Sequence, residues 1–391
     1  MRTFIAESVL AALLAFASDH ASAAQHHSPP HLGNSSDFAV TYQINPAHNG
    51  AIDLSTGFTV PLEQAWSKDL VYALDYPIIA DGQVFVHSGG TYLFGLDVTN
   101  GHSTWHNNKL DGGGLGLQGM AYDNGSLFIL NSDGLLLSFA TADGKKNWST
   151  SLPLQYMFNA PVMAVNGQVF IGGTGVGGDL YAVDESSGKL QWVKPVDGGD
   201  FSSPAYGDKG IYVAYPCRYY KFKPSNGKVL WEIAGNDTGG GGATPVYFGK
   251  RVLIQDDTPT CGADTVRNTR NGNETGTFVS ETTPAVFQTS KGKDLVCGVF
   301  LYDNPKIMQC TDLKTGALVW SFTGDGRLVT PPIVVNGLVV VGSLLGELYV
   351  VDENGKEVWS TLTPGPVTHI AAGLGTLIVI STSKVTAYVP Q

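Results

Sequence analysis

Leu180-Tyr181-Ala182-Val183-Asp184-Glu185-Ser186-Ser187-Gly188-Lys189-Leu190-Gln191-Trp192 is the stretch on which the fold turns. It reads as a strand, a tight turn built on Asp and Gly, and a second strand that carries an indole. The glycine-to-tryptophan spacing recurs along the chain. Trp105, Trp148, Trp192, Trp231, Trp320 and Trp359 each stand four residues after a glycine (Gly101, Gly144, Gly188, Gly227, Gly316, Gly355). Successive gaps are 43, 44, 39, 89 and 39 residues. The 89 is a double step, with Gly272 and Gly276 at its midpoint marking a repeat that has lost its indole. A period near forty with a turn glycine ahead of a large aromatic predicts stacked β-units.

Working outward from the tryptophan strand, each unit begins with an apolar strand near a proline and turns at Asn-Gly or Asp-Gly. One unit reads Thr330-Pro331-Pro332-Ile333-Val334-Val335, turn Asn336-Gly337, Leu338-Val339-Val340-Val341, then Glu347-Leu348-Tyr349-Val350-Val351-Asp352, turn Asn354-Gly355, Glu357-Val358-Trp359-Ser360. Asn-Gly suits a two-residue hairpin because both central positions need positive φ. Four antiparallel strands per unit make a propeller blade. The pattern places blades at 71–110, 115–154, 157–197, 200–236, 241–281, 282–326, 327–363 and 366–391. The last has three strands and lacks the tryptophan strand. Trp66, in Gln64-Ala65-Trp66-Ser67 ahead of the first blade, supplies it, so an N-terminal strand completes the last blade and removes an open edge. The predicted fold is an all-β, eight-bladed β-propeller. Seven blades is the alternative, because the fifth unit is degenerate. The indoles are expected to wedge between neighbouring blades, with a thinner contact where Gly276 stands.

The predicted domains are a signal peptide at 1–23, a disordered arm at 24–40 and a single propeller at 41–391. Arg2, the apolar run Val9–Ala17 and Ala21-Ser22-Ala23 have the layout of an export signal. An uncleaved anchor is the other reading, but nine apolar residues are too few to span a bilayer. The arm is polar, and His26, His27 and His31 in it are read as a tail rather than a metal site. The formal charge of −11 gives no field for nucleic acid or an anionic membrane. No later segment is apolar enough to be transmembrane. Export makes disulfides the default for the four cysteines. Cys297 and Cys310 flank a turn within one hairpin, while Cys217 and Cys261 sit in corresponding connections of blades four and five, so the expected pairs are Cys297–Cys310 and Cys217–Cys261. Asn34, Asn124, Asn147, Asn236 and Asn273 stand in Asn-x-Ser/Thr sequons open to glycosylation in a eukaryotic host.

The 180–192 motif, of form L-Y-x-V/L-D-x-x-x-G-K-x-x-W, resembles the repeat of quinoprotein-type (PQQ-like) β-propellers. That superfamily holds both the pyrroloquinoline-quinone (PQQ) alcohol dehydrogenases and the eight-bladed, non-enzymatic lipoprotein of the outer-membrane assembly machinery. Thr41-Tyr42-Gln43-Ile44-Asn45-Pro46-Ala47-His48-Asn49-Gly50 also resembles the lead-in of exported members. For the dehydrogenases the resemblance would imply a quinone between a tryptophan floor and two adjacent cysteines, with Ca²⁺ held by Glu, Asn and Asp. Here no two cysteines are adjacent, all seven tryptophans are taken by the structural position, and there is no haem-attachment motif. No PQQ, Ca²⁺ or other metal is therefore expected.

Ligands of propellers commonly bind at the mouth of the central funnel, on the face where outer strands lead into the next inner strand. The residues just before each inner strand should ring it: Asp75-Tyr76, Gln118-Gly119, Asn159-Ala160, Ser202-Ser203, Ala243-Thr244, Thr282-Thr283, Val329-Thr330 and Thr368-His369. Of these, Asp75, Tyr76, Gln118, Asn159 and His369 are the expected ligand-binding residues. Tyr76, Tyr156 and Phe158 are candidates for stacking on a ligand. Asp75 and His369, from the first and last blades, could also form an acid–base pair or a plain ion pair. Asp111, Asp200 and Asp325 beside glycines read as turn residues more than as a Ca²⁺ cluster. Gly173–Gly178 matches GxGxxG, but it joins two strands and so is no phosphate cradle.

These readings make the protein a secreted or periplasmic, monomeric binding or scaffold propeller for a protein or glycan partner, with no identifiable catalytic residue. The alternative is an enzyme at the funnel mouth, either a PQQ/Ca-dependent or other oxidoreductase, or a carbohydrate-active enzyme.

Overall fold

A computed structural model describes residues 35–391, apart from 89–91, 108–109, 111–116, 156, 174–177, 197–201, 236–241 and 257–262. The fold is the expected all-β propeller of eight four-stranded sheets. Blade strands run over 78–107, 117–151, 163–195, 205–234, 246–277, 285–322, 333–362 and 369–390, each inside the span read from the repeat. Within the first seven blades the four strands are antiparallel and follow chain order from the inner to the outer strand. The fifth blade keeps all four strands (Val246–Phe248, Arg251–Ile254, Thr265–Asn268, Glu274–Thr277) despite its weak sequence. Ring closure is also as expected. Leu62–Asp69 pairs antiparallel with Lys384–Pro390, with Trp66 opposite Ala387.

The tryptophans are interblade wedges. Six indole Nε1–H groups donate to a carbonyl in the turn of the following blade: Trp66 to Val98 at 2.8 Å, Trp105 to Thr141 at 2.7 Å, Trp148 to Glu185 at 2.9 Å, Trp192 to Pro224 at 2.8 Å, Trp231 to Thr269 at 3.0 Å and Trp320 to Glu353 at 3.0 Å. Each of these rings lies flat against the turn glycine of that blade. A Cβ on Gly101 would stand 2.4 Å from a Trp66 ring carbon, and one on Gly188 would stand 2.6 Å from Trp148. The glycine is required twice over, by this contact and by its positive φ. At the fifth-to-sixth seam the indole is missing. A Cβ on Gly316 would meet only the Thr277 carbonyl, at 3.5 Å, and one on Gly276 only Val266, at 4.0 Å.

One part of the fold was not foreseen. Residues 37–54 form a hairpin that runs along the propeller axis. Residues 37–40, read from the sequence as the end of a disordered arm, belong to it, with Phe38 and Ala39 buried. Residues 35 and 36 precede it in a 3-10 turn, and residues 24–34 lie outside the described residues. Main-chain carbonyls of the hairpin accept an amide from seven blades: Ala39 from Ile79, Val40 from Tyr122, Pro46 from Tyr206, Ala47 from Tyr247, Asn49 from Val286, Gly50 from Val334 and Asp37 from Leu374, all between 2.6 and 2.8 Å. The third blade is reached through the Thr41 hydroxyl, which donates to Val162 O at 3.2 Å. Ala51–Ile52 adds a parallel fifth strand to the seventh blade. The inner strands would otherwise leave their axial amides without partners in a space too narrow for bulk water, and the hairpin satisfies them.

The hairpin enters and leaves beside the turns that follow the inner strands. There Asp37 accepts the Ser55 amide at 2.9 Å, and Asn336 bonds both main-chain groups of Leu54. Its tip, closed by a Thr41–Ile44 bridge, points to the opposite face. Gln43 has φ of 52° there, and its amide donates to Thr283 O at 2.9 Å and Pro332 O at 3.4 Å. His48 is fully buried with its two ring nitrogens against Tyr42 O at 2.7 Å and Pro204 O at 2.9 Å, and burial pulls its pKa down.

Cys297 and Cys310 stand opposite each other on adjacent strands and are disulfide-bonded. Cys217 is also disulfide-bonded, and its expected partner, Cys261, lies outside the described residues.

Candidate functional site

The face where outer strands lead into the next inner strand carries the expected ring, and the hairpin tip forms its floor. At the junction of the first and last blades Asp75, His87 and His369 meet. His87 Nε2 lies 3.1 Å from Asp75 Oδ2, and His369 Nε2 lies 3.5 Å from Asp75 Oδ1. Each contact is an ion pair only when its imidazole carries a second proton. Burial pushes the Asp75 carboxyl up, but His87 and the charge of His369 outweigh it and hold the group at about 2. Burial lowers the His369 imidazole, against the pull of Asp75. The sequence reading paired Asp75 with His369 but missed His87. It lies mid-strand in Gln83–Ser88 and only the inward alternation of that strand brings it to the axis.

Tyr76 is held by the second blade. It is buried, its hydroxyl donates to Met120 O at 2.7 Å and accepts from Met120 N at 2.9 Å, and so it ties the first blade to the second. Phe158 is likewise spent in the core. It is fully buried, packed on Gly134 and 5.7 Å from the Tyr181 ring. The expectation of stacking at Phe158 is corrected because its ring turns between blades, whereas the Tyr76 ring stands 5.6 Å from that of Tyr42 on the axial hairpin. Asn159 is half-buried. Gln118 lies on the first strand of the second blade (Leu117–Asp123), and its side chain and Tyr156 fall outside the described residues.

Two cavities open over the hairpin tip. The smaller, of about 20 Å³, is lined by Tyr42, Gln43, Tyr76, Thr330, Pro331, His369 and Ile370 and has room for about one water. His369 Nδ1 is buried beside it with no hydrogen-bond partner among the described residues. The larger, of about 660 Å³, lies over the fifth, sixth and seventh blades, with Tyr42, Thr244, Gln255, Ser280, Thr282, Thr283 and Tyr302 in its wall. Three carboxylates line it and hold main chain. Asp256 accepts from Cys217 N at 3.0 Å and from the Tyr219 hydroxyl, Asp264 from Asp256 N at 3.0 Å and Ser280 N at 3.2 Å, and Glu281 from Tyr302 N at 2.7 Å. No lysine or arginine is among the described lining residues.

Of the sequons, Asn124, Asn147 and Asn273 are exposed, and Asn34 and Asn236 lie outside the described residues. Asp325 accepts a hydrogen bond from the Ser343 hydroxyl at 2.6 Å, while Asp111, Asp200 and residues 174–177 of the GxGxxG stretch lie outside the described residues. Among the described residues no group of three His, Cys, Asp or Glu is arranged around a metal position.

A closed ring of eight blades sealed by glycine-backed indoles defines a PQQ-like repeat propeller. The family model described as outer membrane protein assembly factor BamB matches residues 63–204, 178–273 and 299–391. The chain belongs to that family. BamB from Moraxella catarrhalis superposes with a TM-score of 0.66 at 17% identity, covering 84% of this chain and 98% of that one. The quinohemoprotein alcohol dehydrogenase of Comamonas testosteroni gives 0.71 at 13% identity, over 90% and 80%. A tetrathionate hydrolase of Acidithiobacillus ferrooxidans is 22% identical over 324 residues, 76% of this chain and 59% of that protein. The chain thus spans about three fifths of the length of this curated relative.

Proposed function

We propose that this protein is an extracytoplasmic binding propeller that docks a protein partner on the face over the hairpin tip. The observation that carries this reading is one-sided. Tyr72, Leu154, Val279, Tyr302 and Leu345 are exposed large apolar side chains, Tyr302 at 89%. All lie in connections on that face. Five of the turns after the inner strands, on the opposite face, are polar: Asp81-Gly82, Asn124-Gly125, Asn166-Gly167, Asp208-Lys209 and Asn336-Gly337. Val71, Met157 and Leu344 are exposed in the same connections, and the remaining exposed apolar residues (Val229, Leu230, Leu318, Val319, Val358, Leu362) are on outer strands at the rim. Apolar side chains gathered on one face of a soluble ring mark an interaction surface. Each one buried in a complex contributes about 1.5–3 kcal/mol. Membership of the BamB family supports a protein partner and a place outside the cytoplasm. Among the described residues no helix is long and apolar enough to cross a membrane.

An enzymatic reading has less support. A flat quinone needs an open slot at the axis and an aromatic floor. Tyr42, Gln43 and His48 of the hairpin fill the axis, and the six indoles named above lie between blades. These residues do not fit the cofactor of the dehydrogenases. The tetrathionate hydrolase relative suggests a sulfur oxyanion as substrate. A dianion entering the larger cavity would meet Asp256, Asp264 and Glu281 with no lysine or arginine among the described lining residues to offset them. The hydroxyl-rich wall suits a neutral glycan better, and that is the second reading.

Site-specific photocrosslinkers at positions 72, 154, 302 and 345, compared with 81, 208 and 336 on the opposite face, test the proposal in the native host. Adducts with one protein from the first set alone are expected. Adducts from the second set, or from neither, would refute it.

A further inference from the structure

The seam between the second and third blades breaks a pattern that two other seams keep. At the first-to-second seam, the Asp81 carboxylate in an inner-strand turn accepts the Thr141 hydroxyl at 2.9 Å. At the fourth-to-fifth seam, Asp208 accepts the Thr269 hydroxyl at 2.9 Å. Thr141 and Thr269 each stand three residues before the turn glycine that carries the preceding blade's indole. The same position in the third blade is Glu185, three residues before Gly188, and the residue it faces is Asp123 of the second blade's inner turn. A threonine always has a proton to donate. Two ionised carboxylates have none.

We propose that Asp123 and Glu185 share one proton, and that this pair makes the second-to-third seam sensitive to pH. The geometry leaves the pair little choice. Glu185 is 7% exposed. Its amide donates to Gly167 O at 3.1 Å, and its carbonyl accepts the Trp148 indole at 2.9 Å, so its backbone is pinned in the seam. Asn124 Nδ2 lies 3.4 Å from Glu185 Oε2, and the Gly167 amide lies 3.5 Å from Asp123 Oδ2. These are long contacts to neutral groups, too weak to offset one buried and one half-buried carboxylate charge.

Other charged groups on the packed elements are Asp184 and Lys189 on the Glu185 turn, Lys145 in the turn before the second blade's outer strand, and Lys146 at the start of that strand. Asp184 accepts from the Ser186 and Ser187 hydroxyls, both at 2.7 Å. Lys189, Lys145 and Lys146 are exposed, and Lys145 pairs with Asp143. Only Asp123 bears on the charge of Glu185. Burial first, then the Asp123 charge and hydrogen bond, push Glu185 up to about 7. The folded chain therefore keeps a proton that the unfolded chain releases near 4.5. Stability falls as pH rises from about 4.5 to about 7, and this pair adds no further slope above that.

The test is urea unfolding of the full chain at pH 5 and pH 8, for the native protein and for Glu185→Gln, which keeps the shape but cannot titrate. Between these pH values the native protein should lose roughly 10- to 100-fold more of its folding equilibrium constant than the variant does. Asp123→Asn should flatten the dependence in the same way, and Glu185→Thr should restore the arrangement of the other seams. If any variant folds poorly, the ¹³C chemical shift of the Glu185 carboxyl in the native protein decides the matter. A midpoint near 7 supports the shared proton. A midpoint near 4.5, or native and variant unfolding curves that move in parallel with pH, would overturn it.

Discussion

Filling the one seam that lacks its indole should stabilise the ring. The perturbation is Gly276→Trp. Gly276 occupies the tryptophan position of the fifth blade, and a side chain there meets only Val266 at 4.0 Å. Over Gly316, where the indole of the preceding blade would lie, only the Thr277 carbonyl comes near. At the other seams the acceptor of the indole N–H usually stands three residues before the turn glycine, which here is Leu313. An indole has about 150–250 Å² to bury, or about 4–6 kcal/mol at about 25 cal/mol/Å². A compact unfolded chain removes up to about 40% of that, and ordering the side chain costs about 1 kcal/mol. The hydrogen bond to Leu313 O returns about 1 kcal/mol. The net expectation is a gain of about 2–4 kcal/mol. Urea unfolding followed by far-ultraviolet circular dichroism, with disulfides intact, measures it. The paired control is Trp192→Ala, which should cost about 3–5 kcal/mol. If Gly276→Trp folds but leaves the midpoint unchanged or lowers it, the indoles are not interchangeable interblade wedges and the packing argument fails.

Other outcomes are fixed by single contacts. Gly101→Ala would force a Cβ to 2.4 Å from the Trp66 ring at φ of 71° and should cost about 2–4 kcal/mol, read by the same unfolding assay. Asp75 titrates at about 2 in the fold, below its usual value. Its stabilisation is therefore present above about pH 4 and lost as pH falls toward 2. Asp75→Asn should remove about 2 kcal/mol of acid-dependent stability, seen as a flatter acid-unfolding curve. Replacing both Cys297 and Cys310 with serine opens a loop of sequence separation 13 and should lower stability by about 2–3 kcal/mol, measured by unfolding with and without reductant.

The ring was legible because its determinants are local and repeated. Gly188 and Trp192 state both the turn and the seam, and Trp66 stands ahead of a chain whose last unit lacks an indole. Even the thin seam at Gly276 could be read as a gap in the series. The axial hairpin was not legible. Thr41 to Gly50 has no periodicity, because its backbone bonds go to a different blade every one or two residues rather than to a neighbouring strand. Phe38 and Ala39 are flanked by polar residues that pair inside the ring, so the segment has the composition of a tail. At the mouth, chain order brought Asp75 and His369 together across the closure. His87 was hidden because it sits in a strand of otherwise ordinary core pattern. Phe158 was misplaced because its position in the repeat does not say whether a ring turns inward or between blades.

The axial hairpin holds the whole disc together, and native-state hydrogen exchange tests it most directly. The amides of Ile79, Tyr122, Tyr206, Tyr247, Val286, Val334 and Leu374, each bonded to the hairpin, should exchange together and only through global unfolding. If these amides exchange as quickly as those of exposed turns while the outer strands stay protected, the axis is open and the hairpin does not close the ring.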